Sequence, residues 1–306
     1  MKIILFIFLV CLSLGAYAQP DTSVMVDKKI ITLSEVVVRN NLNIPGFIRR
    51  IQNDTSFYKA FKNLHIIGYT AINDIRMLDK KGNSDAMLRS KTRQIRIDDC
   101  RVMETLEQEY SGDFFNKDGG YNYYTANMYA SLFFTKGKVC GENNIVKDMD
   151  FSTSGKRGIE KNKEQLKMLF FNPGSRIKGI PFMSKKTEIY SDDMADEYNM
   201  EVDMESFNNT SCYVFKQTVK KGRESKVVID EMTTWFDDKT FEIIGRNYSL
   251  SYDAGVYDFK VIMEIVMTNF NGLTIPSLIR YNGNWKVIGK KRERGVFTAT
   301  LSDFNL

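Results

Sequence analysis

The chain of 306 residues carries 26% charged side chains, a net charge of +5 and five prolines, a composition that argues against disorder and leaves room for one large domain or two average ones. Its single histidine, His65, excludes sites that need two, such as paired-histidine zinc sites and HExxH helices, and no cysteine pair has CxxC spacing. Fifteen tyrosines and 21 phenylalanines suit sheets better than a bundle of long helices.

Residues 1–18 read as a secretory leader. Lys2 supplies the positive start, Ile3 to Leu14 the apolar run, and Ala16-Tyr17-Ala18 an A-x-A site, so cleavage is expected after Ala18. The run is shorter than the roughly 20 residues that a bilayer-spanning helix needs. Val10 precedes Cys11 where a lipidated cysteine wants a small residue. No later apolar run is long enough to span a membrane. The mature chain is therefore expected to be exported, to the periplasm, the outer-membrane surface or the medium. Loss of the leader leaves Cys100, Cys140 and Cys212, an odd count that allows one disulfide with a free thiol, or three thiols. Buried thiols are expected for most of them, with Cys100–Cys140 the pair to form if a bridge exists.

Residues 19–43 are read as an N-terminal segment with one short strand, since Ile30 to Val38 is rich in β-branched residues. Pro45 suits the first turn of a helix that places Phe47, Ile48 and Ile51 on one face and Arg49 and Arg50 on the other. Asn53-Asp54-Thr55 caps a second short helix with Phe57 and Phe61. From Leu64 the period becomes two, which puts His65 in the first strand of a long hairpin turning at Lys80-Lys81-Gly82-Asn83. The stretch from Arg101 to Pro181 is less regular. It holds a loop from Gly112 to Gly120, an aromatic core element around Met128 to Phe134, and a helix from Glu160 to Phe171.

The last third predicts seven strands at hairpin spacing: 197–205, 212–219, 226–236, 241–252, 257–269, 273–285 and 297–304. Along the fifth, Val261, Met263, Ile265 and Met267 make one wholly apolar face. The other face alternates Lys260, Ile262, Glu264, Val266 and Thr268, a half-apolar surface that also calls for cover. The fold class expected is α+β, predominantly antiparallel β: an unclosed half-barrel meander with a few covering helices. Residues 44–306 are expected to form a single domain, because no linker divides them.

Chemistry finds little support. A Ser-His-Asp triad would need His65, no GxSxG elbow occurs, and the glycine-rich stretches lack the phosphate-loop pattern. Asp98-Asp99, Asp192-Asp193 and Asp237-Asp238 are adjacent acids in turns, which diverge where glycosidase chemistry needs convergence. The densest basic cluster, Lys286, Lys290, Lys291, Arg292 and Arg294, surrounds Gly289 and Gly295 in an expected hairpin connection, so nucleic acid is not an expected partner. Neither a metal nor a cofactor is expected.

Two stretches resemble known families. Thr32-Leu33-Ser34-Glu35-Val36-Val37-Val38 resembles the L-x-EVVV segment of exported Bacteroidetes outer-membrane and carboxypeptidase-regulatory-like proteins. The region from Thr234-Trp235-Phe236-Asp237 through Phe241-Glu242-Ile243-Ile244 to Ile275-Pro276 resembles outer-membrane lipoprotein-sorting proteins of the LolA/LolB type. That resemblance implies an unclosed antiparallel barrel whose concave apolar face, plugged by helices, accommodates acyl chains.

Together these readings predict a non-enzymatic binding protein of the periplasm or outer membrane, holding a lipid, a lipoprotein acyl chain or another hydrophobic ligand. Trp235, Phe236, Met263, Ile265 and Met267 are the expected lining residues. One alternative is a structural or interaction protein of the envelope that uses a sheet edge, in particular Ile30 to Val38, to bind an envelope protein. Another is a carboxylate-dependent hydrolase of envelope polymers.

Overall fold

The computed structural model describes residues 22–40, 42–146, 169–175, 183, 185–253, 255, 257–287 and 289–306. The expected leader and most of the expected helix at 160–171 lie outside the described residues; the last residues of that helix, 169–171, are helical. Seven consecutive strands form the body of the sheet: β7 Tyr198–Phe207, β8 Thr210–Val219, β9 Ile229–Asp237, β10 Ile243–Asp253, β11 Tyr257–Phe270, β12 Leu273–Val287 and β13 Glu293–Asn305. Each matches one of the seven expected from the sequence. Their tight turns use residues that tolerate left-handed backbone. Asn208 and Asn209 have φ of 48° and 64°, and Asn271 and Gly272 have φ of 51° and 78°, the pattern of two-residue turns that suits the right-handed twist of flanking strands.

The earlier strands extend both ends of this meander. β3 Gly68–Leu78 pairs with β13, followed by β4 Ser84–Ile97, β5 Cys100–Ser111 and β6 Val139–Cys140. At the other end β2 Lys29–Leu33 pairs with β7 and carries β1 Thr22–Val26 on its outer side. The order is β1-β2-β7-β8-β9-β10-β11-β12-β13-β3-β4-β5-β6, antiparallel except for β2 with β7. β1 and β6 do not meet, so the sheet is one unclosed antiparallel half-barrel, and a few helices lie against it.

Three local expectations are corrected. The strand expected through Val38 stops at Leu33, and two short strands stand where one was expected. The last rung of β2 on β7 is Ser34 N–H to Val202 O at 3.1 Å. Beyond it Glu35–Arg39 forms helix α1, closed by an ion pair between Arg39 and Glu35 one turn apart, and only Val37 of its three valines is buried. His65 lies in a turn ahead of β3 rather than within it. The irregular middle contains β5, whose residues from Glu104 to Ser111 are exposed on both faces, so no alternation marked it.

The two expected entry helices form as predicted. Helix α2, Ile44–Gln52, has Pro45 in its first turn and buries Phe47, Ile48 and Ile51, and Asn43 accepts the Gly46 N–H at 3.1 Å. Helix α3, Ser56–Asn63, buries Phe57 and Phe61, and Asp54 accepts the Ser56 N–H at 3.1 Å. The aromatic element after Tyr123 is helix α4, Tyr124–Phe133. Glu293 of β13 caps it by accepting the N–H groups of Tyr124 and Thr125 at 2.8 and 2.7 Å. A carboxylate at a helix start satisfies free donors and opposes the helix dipole favourably.

Cys100 and Cys140 form a disulfide between β5 and β6, and Cys212 is a buried free thiol. The bridge joins the pair named from the sequence, although thiols were expected for most of the cysteines. The antiparallel pairing puts Cys100 directly opposite Cys140, which brings two positions 40 residues apart into bonding range.

Candidate ligand-binding face

Alternation along β11 sets the geometry. Phe259, Val261, Met263, Ile265 and Met267 are buried on the concave side, while Lys260 and Ile262 are exposed on the convex side. The helices cover only the first of these faces. On the second face Ile262 is 43% exposed, while Glu264, Val266 and Thr268 are half-buried. Helix α2 sets Phe47 edge-on to Phe236 at 5.3 Å. Helix α3 sets Phe57 against Tyr248 at 6.4 Å, and its end is tied to β12 by Asn63 Nδ2 donating to Thr274 O at 2.8 Å. Helix α4 lays Tyr129 on Phe297 at 4.6 Å, and Phe297 stacks in turn on Tyr281 at 4.7 Å.

Of the expected lining residues, the fold brings Phe236, Met263, Ile265 and Met267 to this covered face. Trp235 stands on the opposite side of the sheet. It stacks on Phe207 at 4.6 Å, and its Nε1 donates to Glu205 at 3.4 Å. Consecutive strand residues point to opposite faces, so Trp235 and Phe236 cannot both line one cavity. Gly245 makes room for that outer stack: a Cβ there would lie 2.7 Å from the Phe207 ring. Gly245→Ala is therefore expected to push Phe207 off Trp235, costing about 1–3 kcal/mol as overpacking does. Tryptophan emission and a denaturation midpoint test this; unchanged values in both would contradict it.

Residues not counted among the expected lining complete the face: Tyr129, Phe133 and Phe170, which the sequence reading placed in the core, with Ile279, Tyr281 and Phe297. The space left among these and their neighbours Met128, Leu132 and Met263 is about 10 Å³, no more than one water requires. Among the described residues this part of the face is packed by its own side chains. Burial raises the phenols of Tyr129, Tyr248 and Tyr281 well above their ordinary value, so they stay neutral. The Tyr248 hydroxyl donates to Phe170 O, and Trp285 Nε1 donates to the Tyr281 hydroxyl. On β3 and β4 a buried polar row answers itself, with Asn73 reaching Ser90 and Thr92, and Gln94 donating to the Leu64 and Ile67 carbonyls at 2.6 and 2.7 Å.

The lone histidine belongs to a cluster at the β5–β6 margin. His65 Nδ1 lies 3.2 Å from Glu142 Oε1, and Arg101 binds the same carboxylate. The His65 hydrogen bond foremost, then Arg101, hold the Glu142 carboxyl down at about 2, from an ordinary 4.5. Because the folded value is depressed, the stabilisation is complete above about pH 4.5 and is lost as pH falls towards 2. Glu142→Gln is expected to flatten this acid limb; equal acid sensitivity of variant and wild type in pH-dependent unfolding would refute the assignment.

The paired acids keep to turns and a short helix. Asp98, with φ of 55°, and Asp99 join β4 to β5, Asp192 and Asp193 open a 3₁₀ turn, and Asp237 and Asp238 end β9. Asp99 lies beside Cys100 and Cys140 in a grouping of metal-ligand type, but both sulfurs are committed to the disulfide. The strand proposed for edge recognition is occupied on both sides, β2 lying between β1 and β7. Among the described residues no helix is long and apolar enough to cross a membrane.

No protein-family model and no curated protein matches the chain. Among solved structures it is similar to a domain ascribed to an outer membrane lipoprotein-sorting protein of Vibrio parahaemolyticus. The identity there is 8% and the TM-score 0.27, covering 84% of this chain and 90% of that one. It is also similar to a DUF1329 family protein from Desulfovibrio piger ATCC 29098, with 12% identity and a TM-score of 0.24, covering 82% of this chain and 93% of that one. The likeness to a lipoprotein-sorting domain is weak, and similarity at this level supports no inference about ligand or activity.

Proposed function

We propose that the protein is an exported, non-enzymatic binding protein of the periplasm or outer-membrane surface that holds an acyl chain or similar apolar ligand against the concave face of its half-barrel. The observation that carries this reading is the largely apolar face that holds Phe236, Met263, Ile265 and Met267 and is covered by helices. Such helices can lift without breaking any ladder of the sheet, and a displaced aromatic plug exchanges one apolar contact for another. Binding would then draw on buried apolar area at roughly 25 cal/mol per Å² and need no catalytic group. The disulfide supports an oxidising compartment, in keeping with the leader read from residues 1–18. Beneath helix α4, where about 10 Å³ is free, uptake would have to displace part of the helical cover. Extraction of the purified mature protein with organic solvent, followed by mass spectrometry, is expected to release lipid in near-stoichiometric amount. An extract without lipid, from protein that also takes up no fluorescent fatty acid, would sink the proposal.

A further inference from the structure

Two polar side chains on the concave face stand out from its apolar surroundings. Arg246 of β10 is 4% exposed, lies 4.3 Å from the Phe57 ring centroid, and donates from Nε to Thr234 Oγ1 at 3.0 Å. Among the described residues no carboxylate stands within ion-pair distance of it. Asp54, which together with Arg246 acts on the buried Tyr190 phenol, accepts the Ser56 N–H through Oδ1 and leaves Oδ2 buried without a hydrogen-bond partner. Gln217 of β8 is fully buried, and neither its Nε2 nor its Oε1 has a hydrogen-bond partner. Strand register puts the two on one face. Arg246 is opposite Thr234, and Thr234 is opposite Phe215; in the next row Tyr248 is opposite Met232, and Met232 is opposite Gln217. A buried cation without a counter-ion and a buried amide without partners both cost free energy. An orphaned polar group inside a ligand face calls for a ligand atom.

We propose that Arg246 and Gln217 form the polar end of the site and hold the oxyanion head, a carboxylate or phosphate ester, of a bound acyl-chain amphiphile. This rests on the reading of the concave face as an acyl-chain site. The guanidinium supplies charge-assisted donors suited to a planar carboxylate or a phosphate, the Gln217 amide supplies a further donor, and the chain lies towards Tyr248 and Met263.

The test is displacement of a fluorescent fatty acid from delipidated protein at about pH 7.5, using palmitate, methyl palmitate, lysophosphatidic acid and inorganic phosphate. Palmitate or lysophosphatidic acid is expected to compete at least about tenfold better than the methyl ester, as a charge-assisted contact implies, with inorganic phosphate ineffective. The stronger of the two acids identifies the head group. Arg246→Gln is expected to abolish the advantage of the acid over the methyl ester, read as the ratio of the two within the variant, and Arg246→Lys to keep part of it. Equal competition by acid and ester in the wild type, which needs no variant to fold, would overturn the polar end while leaving the acyl-chain site standing. Competition by inorganic phosphate alone would overturn the amphiphile. Failure of every lipid to bind would remove the acyl-chain site itself, and the polar end with it.

Discussion

Replacing Phe297 with alanine is expected to lower the unfolding free energy by about 3–5 kcal/mol, the range for a buried phenylalanine whose site cannot collapse. Phe297 is 2% exposed and sandwiched between Tyr129 of helix α4 and Tyr281 of β12. Neither neighbour can follow the truncated side chain freely. Tyr281 is tied through its hydroxyl to Trp285, and Tyr129 reaches Asn73 at 3.4 Å. The lost volume should therefore remain as a cavity beneath helix α4, in the place where the wild type has about 10 Å³ free. The same variant should bind a fluorescent fatty acid more readily, because a void has replaced part of the plug. Lower stability with enhanced uptake is the combined signature. Lower stability with unchanged uptake would make Phe297 plain core, and no loss of stability would mean the packing described around it is wrong.

Loss of the disulfide has the second largest expected effect. The bridge closes a loop of 40 residues, for which the chain-entropy account gives about 4 kcal/mol within a usual range of about 2–5. The consequence should be local as well as global. β6 pairs with β5 only at Cys100 and Arg101, so the bridge is the covalent tether of the segment that carries Glu142 to His65 and Arg101, beside hydrogen bonds from Gly141 to Asp99 and from Asn144 to Asn63. A Cys100→Ser, Cys140→Ser double variant should show a lower denaturation midpoint and a Glu142 carboxyl returned towards its ordinary value, measured by NMR titration. A midpoint equal to that of the oxidised wild type would argue against a bridge in the native protein.

How far the fold could be read from the chain depended on whether side-chain alternation survived. All seven strands of the meander were legible because turn residues such as Asn208-Asn209 and Asn271-Gly272 separate segments of strand length and composition. β5 was not, because a strand exposed on both faces carries no period in its composition. Val36 and Val38 look like strand residues, yet no ladder partner continues beyond Val202, and the chain turns into a helix instead. For the site, Met263, Ile265 and Met267 followed directly from period two along β11. Arg246 was hidden for a physical reason. A bulge between Ile243 and Gly245 shifts the parity of β10, so an arginine that simple alternation from Ile243 sends outward is turned to the concave side. The aromatic plug was equally out of reach, since Tyr129 and Phe297 are 168 positions apart and meet only through the fold.

Whether the concave face binds apolar chains is tested most directly by titrating a fluorescent fatty acid into delipidated mature protein and comparing wild type with Phe297→Ala. Saturable uptake by the wild type, displaced by unlabelled lipid and strengthened in the variant, is the predicted result. Absence of saturable uptake in both proteins, with each folded by circular dichroism, would contradict it.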